Sequence, residues 1–183
     1  MESLYKTKQT VFAFKEISLL LSESNINALK SKINYYVRSG KLTQVRRGIY
    51  CLESYDKEEL ACKLYSPTYI SLEYVLQKEG VIFQYQETIT SLSGLTRLVL
   101  MGEQKYSYRK IKRDILLDTT GVKMLNNINI ATKERAILDI LYMNKDYYFD
   151  NLTSINKTAI NNMLEKVYEC KALTQRAKRI LNV

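Results

Sequence analysis

The sequence predicts an α+β fold with three parts: an N-terminal winged helix-turn-helix over residues 1–52, a linker helix over residues 53–66 and a mixed α/β C-terminal domain over residues 67–183. Two observations support this division. In the first part, apolar residues at helical spacing are followed by a short hairpin pattern. In the last part, short runs rich in β-branched and aromatic residues alternate with helical stretches.

A pair of helices is predicted near the N-terminus. Residues 11–14 are an apolar run that can form a strand or enter a helix, and residues 16–21 have the apolar density of a short buried helix. Ser24 is a favourable N-cap for a second helix over residues 25–39. Gly40 follows where a residue of positive φ commonly ends a helix. The inward positions of the second helix recur at helical spacing and are Ile26, Leu29, Ile33, Tyr36 and Val37.

The polar face of this second helix predicts contact with DNA. It carries amide, hydroxyl and basic side chains, which can donate to phosphates and base edges, and no acidic residue lies among them. After Gly40, residues 41–46 and 49–52 alternate as two strands around the turn Arg47-Gly48, so the hairpin would form a basic wing. The predicted contact residues are Asn27, Lys30, Ser31, Asn34, Tyr35 and Arg38 on the helix, and Lys41, Gln44, Arg46 and Arg47 on the hairpin.

The distribution of charge favours the same interpretation. The chain has 28 Lys and Arg against 19 Asp and Glu, a net charge of +9. Residues 1–52 hold nine of the basic residues and three of the acidic ones, a net of +6. Such a basic region favours a polyanionic partner. A lysine-rich solvated surface would give the same composition, so the prediction depends on the agreement of helix order, spacing and charge.

The composition argues against several other classes of protein. The absence of histidine removes His-dependent triads, His-ligated metals and the commonest general base, so we expect a protein that is not an enzyme and uses no metal or cofactor. Cys51, Cys62 and Cys170 form no CxxC pair, which disfavours a zinc site. The chain shows no apolar run of membrane-spanning length and no signal peptide, so we expect a cytoplasmic protein without a membrane partner.

Helices and strands are expected to alternate after residue 53. Asp56 and Glu59 have the spacing of a capping box at the start of the linker helix, and Pro67 would end it. Thr132 is a favourable N-cap for a helix over residues 133–143, in which Arg135 would pair with Asp139 in a structural role. Further helices are expected at residues 71–79, 157–170 and 174–181, and strands at residues 82–85, 88–92, 97–101 and 105–108.

A second basic cluster lies near the middle of the chain, interleaved with Tyr106 and Tyr108. It could bind nucleic acid through charge and aromatic stacking. An exposed strand edge guarded by lysines explains it equally well, so both interpretations stay open. The members of the cluster are Lys105, Arg109, Lys110, Lys112 and Arg113.

Three stretches carry a resemblance to a known family. Residues 37–42, Val-Arg-Ser-Gly-Lys-Leu, lead into residues 46–50, Arg-Arg-Gly-Ile-Tyr, and look like the end of a recognition helix and its wing. Residues 69–76 are similar to the first helix of the family's C-terminal domain, and residues 130–139 to its A-x-x-E-R-A-L-L-D helix start. In this order, the three stretches resemble the AbiEi family, the antitoxin and autorepressor of AbiE-type (type IV) toxin–antitoxin systems.

The resemblance implies a winged-helix head that binds operator DNA and represses its own operon. It also implies a C-terminal domain that counteracts a nucleotidyltransferase-like toxin without binding it stably. Two alternatives remain. One is an RNA-binding or general nucleic-acid-binding protein without antitoxin activity. The other is a nuclease that uses Asp114, Asp118 and Glu134 as metal ligands, which is less favoured because these residues lack a D…ExK arrangement.

Overall fold

The computed structural model describes residues 2–182 and has an α+β fold, as the sequence predicts. The chain divides into two compact units, Met1–Tyr65 and Ser66–Val183. In the part of the chain that the structure describes, each unit contains one sheet, of three strands in the first and six in the second.

The first unit contains a three-stranded antiparallel sheet with the strand order β1-β3-β2. Its hydrophobic core is formed by Leu4, Phe12, Ile17, Leu29, Ile33, Leu42 and Tyr50. Its elements are α1 (Glu2–Tyr5), β1 (Val11–Ala13), α2 (Phe14–Leu20), α3 (Ile26–Arg38), β2 (Thr43–Arg46), β3 (Ile49–Cys51) and α4 (Lys57–Leu64).

Helix α3 differs from its prediction at its first turn. The N-cap is Asn25, not Ser24, because the Asn25 side-chain oxygen accepts hydrogen bonds from the amides of Asn27 and Ala28. Ile26, predicted to face inward, is 60% exposed because it is the first residue of the helix, three residues before the buried Leu29, and lies outside the hydrophobic core. The end of α3 is as predicted: Gly40 has a φ of +72°.

Helix α4 is shorter than the linker helix predicted over residues 53–66, and it packs against β1 within the first unit. Asp56 caps it by accepting from the amides of Glu58 and Glu59. The Glu59 carboxylate does not complete a capping box. It is buried and accepts from the Thr10 amide at 2.8 Å and the Thr10 hydroxyl at 2.6 Å. The helix is therefore held to the strand that follows Thr10.

The second unit contains a mixed sheet with the strand order β6-β7-β5-β4-β9-β8, in which β4 pairs with β9 and β5 with β7 in parallel. Its strands are β4 (Thr68–Ile70), β5 (Ile89–Ser93), β6 (Arg97–Met101), β7 (Gln104–Lys110), β8 (Val122–Leu125) and β9 (Ile128–Ala131). Its helices are α5 (Glu73–Lys78), α6 (Arg113–Leu117), α7 (Lys133–Met143), α8 (Lys157–Met163), which continues into a π-helical segment (Leu164–Tyr168), and α9 (Lys171–Leu181).

The strands of the second unit differ from the prediction in two ways: one predicted strand is absent, and some observed strands were not predicted. Residues 82–85 form no strand; the Phe83 amide donates to the Asp150 carboxylate, and the Phe83 and Tyr85 rings stay exposed.

Strand β4 was not predicted: its residues 69 and 70 belong to the stretch that the family resemblance assigns to a helix, which begins only at Glu73. Strands β8 and β9 were not predicted either. They form a hairpin whose turn, Asn126-Asn127, has positive φ at both residues, which asparagine tolerates.

Helix α7 occupies the core of the second unit, and eight of its 11 residues are buried. Thr132 caps it by accepting from the Arg135 amide, as predicted. The Arg135 guanidinium donates to the carbonyls of Ile115 at 2.7 Å and Thr120 at 2.8 Å, and its Nε lies 3.5 Å from an Asp139 carboxylate oxygen. The predicted structural pair of Arg135 and Asp139 is therefore confirmed, and both residues are fully buried.

The Asp139 carboxylate is satisfied by hydroxyl groups as well as by Arg135. It accepts from Tyr168 at 2.6 Å, from Ser71 at 2.7 Å and from Tyr69 at 3.1 Å. A buried charge is tolerated only when it is paired and hydrogen-bonded, and the network around Asp139 meets both conditions.

No helix within residues 2–182 is both long and apolar enough to cross a bilayer.

Candidate nucleic-acid interface

The ten residues predicted to contact DNA are all exposed in the first unit. On α3, Leu29 and Ile33 are 1% exposed and pack into the core, while the six predicted contact residues lie outside the core. The hydrophobic core thus fixes the orientation of the helix and turns its amide, hydroxyl and basic side chains toward solvent.

The basic residues of α3 fall into two groups. Lys32 donates to the Glu23 carboxylate at 2.7 Å; this hydrogen bond lowers the pKa of Glu23 and raises the pKa of Lys32. Lys30 and Arg38 make no ion pair with any described residue, and α3 itself contains no acidic residue. Two cations on this helix are therefore left for an external anion.

Tyr35 adds an aromatic group to the same surface. Its side chain is 62% exposed. The Lys41 ammonium lies 6.0 Å from the centroid of the Tyr35 ring, and the Tyr36 ring lies 5.9 Å away. An exposed ring with a neighbouring cation can contact a base or a sugar while the cation contacts a phosphate.

The hairpin of β2 and β3 carries two adjacent arginines, Arg46 and Arg47. The sequence predicts the same role for both, but their contacts in the structure differ. The Arg46 guanidinium donates to the Leu64 carbonyl at 2.8 Å and lies 4.6 Å from the centroid of the Tyr65 ring. Arg47, at the turn, is exposed and makes no ion pair within residues 2–182. Arg46 therefore holds the hairpin to the end of α4, and no local pattern signalled this contact because its partners lie 18 and 19 residues away.

The turn of the hairpin is fixed by the backbone. Gly48 has a φ of +79°, which glycine adopts without strain, and its carbonyl accepts from the Phe14 amide at 2.9 Å. The register of β2 against β3 shifts between Gln44 and Arg46, as in a β-bulge. Arg47 is therefore presented from an anchored turn.

The acidic residues of α4 and its N-terminal flank reduce the difference in net charge between the two units. With α4 included, residues 1–65 hold 11 Lys and Arg against seven Asp and Glu, a net of +4; residues 66–183 hold 17 against 12, a net of +5. Net charge therefore does not distinguish the units as sharply as residues 1–52 suggested. The arrangement of charge on α3 is the stronger observation.

One of these acidic residues, Glu16, is engaged in the fold. Burial alone would raise the pKa of its carboxyl, but hydrogen bonds from Lys63, the Ala13 amide and Gln9, together with the charge of Lys63, hold the pKa below its usual value. The ionised form of Glu16 is therefore part of the folded first unit.

The second basic cluster does not have the geometry that aromatic stacking requires. Tyr106 and Tyr108 are 0% and 1% exposed, so their rings cannot stack on bases. The guarded-edge interpretation fails as well, because β7 lies between β6 and β5. Arg109 pairs with Glu73 at 3.2 Å. The remaining members of the cluster, Lys105, Lys110, Lys112 and Arg113, are exposed.

Two of the three residues considered as metal ligands, Asp118 and Glu134, make hydrogen bonds within the fold. Asp118 accepts from the Thr120 amide, and Glu134 from the Asn156 amide. Residues 2–182 contain no group of three or more His, Cys, Asp or Glu that could hold a metal ion, so Asp114, Asp118 and Glu134 form no such group.

The three cysteines are free thiols. Cys51 is buried, and burial, with a smaller contribution from Glu59, raises the pKa of its thiol to about 12. Cys62 and Cys170 are partly buried.

No model of a protein family matches the chain, and no curated protein matches it either.

Proposed function

We propose that this protein is a DNA-binding transcriptional regulator whose first unit is a winged helix-turn-helix. In this proposal α2 and α3 form the helix-turn-helix, α3 is the recognition helix, and the hairpin of β2 and β3 is the wing. The observation that carries the proposal is the exposed face of α3, which combines two unpaired cations, hydrogen-bonding side chains and one exposed aromatic ring with no acidic residue.

The dimensions of α3 suit the major groove of duplex DNA. A helix of 13 residues is about 20 Å long at 1.5 Å per residue. The major groove of B-DNA is about 12 Å wide and admits a helix of this kind. Asn34 can form paired hydrogen bonds with adenine, while Lys30 and Arg38 can contact guanine or phosphate.

The same geometry favours DNA over double-stranded RNA. The major groove of A-form RNA is too deep and narrow for side chains to read, and single-stranded RNA is usually held on exposed aromatic platforms. In this chain, the tyrosines of the second basic cluster are buried. A short, exposed and charged helix is therefore better suited to B-form DNA.

The test is a binding measurement with the full chain and the duplex that lies upstream of its own gene. A scrambled duplex and an RNA duplex of the same length serve as competitors. We expect the variant K30A/R38A to bind the upstream duplex more weakly by about 100-fold, because each lost charge-assisted contact weakens binding by about tenfold.

Lys32 provides the matched control. The variant K32A removes a positive charge from the same helix, but this charge is already paired with Glu23. We expect K32A to bind the upstream duplex within about threefold of the unchanged protein, because Lys32 already donates to Glu23 and only the long-range part of its charge, which salt screens, is lost. If K32A weakens binding as much as R38A does, overall charge rather than the exposed face drives binding. If the RNA duplex competes as well as DNA, the general nucleic-acid-binding alternative is favoured.

We further propose that the protein represses its own operon and acts as an antitoxin of a type IV system, without stable binding to the toxin. The support is the resemblance of three motifs to the AbiEi family. Three of the four charged residues of the third motif, Glu134, Arg135 and Asp139, are buried in or beside the α7 network, and the half-buried Lys133 donates to the Ser154 hydroxyl; the motif therefore reflects a fold more than a contact surface.

Growth measures the antitoxin activity directly. The gene next to this one is expressed with and without the full chain, and colony formation is scored. We expect the neighbouring gene to arrest growth when expressed alone and the full chain to restore it. If the neighbouring gene is harmless, or if the full chain does not restore growth, the antitoxin proposal is contradicted while the DNA-binding proposal stands on its own test.

A further inference from the structure

The six-stranded sheet of the second unit ends in two edge strands, β8 and β6, which differ in their protection. Strand β8 carries the exposed residue Lys123, and a lysine on an edge strand discourages pairing with another chain. Strand β6 has the sequence Arg-Leu-Val-Leu-Met, whose single charged residue, Arg97, stands at its start. It contains no proline, and its register against β7 runs without a bulge from Arg97 to Met101. The β6 edge therefore lacks the features that usually prevent pairing.

The outer side of β6 offers free backbone groups at two residues. Met101 and Gln104 close a hairpin around two residues, the first of which, Gly102, has a φ of +58°; such a turn makes the closing pair a hydrogen-bonded one. Bonded and non-bonded pairs alternate along an antiparallel ladder, so the amides and carbonyls of Leu98 and Leu100 point away from β7. Within residues 2–182, no strand pairs with this side of β6.

The side chains of the same two residues are apolar and exposed. Leu98 is 71% exposed and Leu100 is 61% exposed. They lie on one face of the sheet because they are two residues apart in a strand. Val99 and Met101, which alternate with them, lie on the other face and are half-buried. The residues with free backbone groups are thus also the ones with exposed apolar side chains.

The β6 edge is complementary to itself. An antiparallel pair of two β6 strands centred on Val99 places Leu98 of each copy opposite Leu100 of the other. Both of these residues have outward amides and carbonyls, so each pair can exchange two hydrogen bonds. The leucine side chains then form two apolar cross-strand pairs on the same face, which stabilise a sheet. Both the hydrogen bonds and the apolar contacts are satisfied in this one register.

The charges at the ends of β6 fit the same register. Arg97 of one copy lies opposite Met101 of the other, and the turn that follows Met101 carries Glu103. Both charged side chains are exposed, and neither makes an ion pair within residues 2–182. A long side chain reaches the diagonal neighbour of the residue opposite it, so Arg97 can meet Glu103 of the second copy. Two-fold symmetry repeats this pair of opposite charges at the other end.

We propose that β6 pairs with β6 of a second copy of this chain and forms a symmetric dimer. The two sheets then join into one sheet of twelve strands, six from each copy. The same surface is used by both copies, so the contact is closed by its symmetry and does not extend into a fibre. Dimers commonly read two-fold symmetric DNA sites, so the dimer is compatible with the proposed function but does not depend on it.

The test is sedimentation equilibrium of the full chain, without DNA, from about 1 μM to about 500 μM, a range that covers weak as well as stable interfaces. We expect the average mass to rise with concentration from that of one chain to that of two chains, and no further. A protein that stays monomeric over the whole range would overturn the proposal.

The variant L98K/L100K tests whether β6 is the interface. It places lysines directly opposite each other in both cross-strand pairs, and like charges in this position oppose pairing. We expect the dissociation constant of the dimer to rise by at least about tenfold. Both leucines are exposed, so the variant should melt at the temperature of the unchanged protein. The matched control is M124K, which adds a lysine at a 78% exposed position of the other edge strand and should dimerise as the unchanged protein does.

A variant of opposite charge makes the test independent of the folding of any one variant. L98E/L100E alone should be as weakly dimeric as L98K/L100K, because its glutamates lie opposite each other. An equimolar mixture of the two variants should dimerise again, since every lysine then lies opposite a glutamate. The proposal is overturned if L98K/L100K dimerises like M124K, or if the mixture stays as monomeric as its components.

Discussion

Helices α3 and α7 carry similar residue types but differ in how those residues are used. Helix α3 has 13 residues, of which Leu29 and Ile33 are buried, whereas α7 has 11 residues, of which eight are buried. Arg38 on α3 is exposed and makes no ion pair within residues 2–182. Arg135 on α7 is fully buried and bonded to two carbonyls and a hydroxyl.

The comparison shows what distinguishes an arginine that can bind a partner from one that stabilises a fold. A guanidinium has five donors, and a buried one must satisfy them within the protein. Arg135 donates to Ile115, Thr120 and Tyr69, and its Nε lies 3.5 Å from the Asp139 carboxylate without a hydrogen bond, whereas Arg38 leaves its donors to solvent or a ligand.

The largest effect is expected from R135A. This substitution leaves the buried Asp139 carboxylate without its cation and empties the space of a large side chain. We expect the free energy of unfolding to fall by about 3–5 kcal/mol, as measured by urea denaturation.

The control for R135A is R179A, which removes an arginine from an exposed pair with Asp146. An exposed pair contributes at most about 1 kcal/mol, so R179A should unfold at nearly the same urea concentration as the unchanged protein. Equal effects of R135A and R179A would contradict the structural role given to Arg135.

A smaller effect should separate Arg46 from Arg47. The variant R47A should reduce the slope of log affinity against log salt concentration by about one unit, because Arg47 is free to neutralise a phosphate. The variant R46A should instead lower the melting temperature, since it breaks the contact with the Leu64 carbonyl and the Tyr65 ring. Salt titrations of DNA binding and thermal melts of both variants decide between the roles; a change of salt slope in R46A alone would reverse the assignment.

The smallest effect concerns the acid stability of the first unit. The pKa of Glu16 is lowered in the folded state, so its ionised form contributes stability at pH values above the unfolded pKa of about 4.3, and this contribution is lost as the pH falls through the folded pKa. The variant E16Q should therefore lower stability slightly at pH 7 and lose less than the unchanged protein on acidification. Thermal melts between pH 7 and pH 3 measure this difference; parallel curves for the two proteins would show that Glu16 does not contribute.

Local sequence signals predicted the elements that depend on local chemistry. Helix α3 and its end at Gly40 follow from apolar spacing and from a glycine at a position of positive φ. The start of α7 follows from the Thr132 cap. In these places the residues that fix the backbone are neighbours in sequence, so the pattern and the structure agree.

Features that depend on distant residues were not predictable in the same way. Arg46 donates to the carbonyl of Leu64, 18 positions away, and Glu59 accepts from Thr10, 49 positions away. The hydroxyl groups that donate to Asp139 come from residues 29 to 70 positions away. Residues 82–85 have the composition of a strand, but the Phe83 amide donates to the Asp150 carboxylate instead of to a neighbouring strand. Tertiary contacts decided these cases.

The most direct test of the central claim is the selectivity of the variant N34A/Y35A. Both side chains are exposed on α3, so their removal should leave the thermal melt unchanged. The measurement is the ratio of affinities for the upstream duplex and a scrambled duplex. We expect this ratio to fall by at least about tenfold, because each base contact contributes about 1–3 kcal/mol of discrimination. A variant that remains folded and as selective as the unchanged protein would show that α3 does not read the DNA sequence.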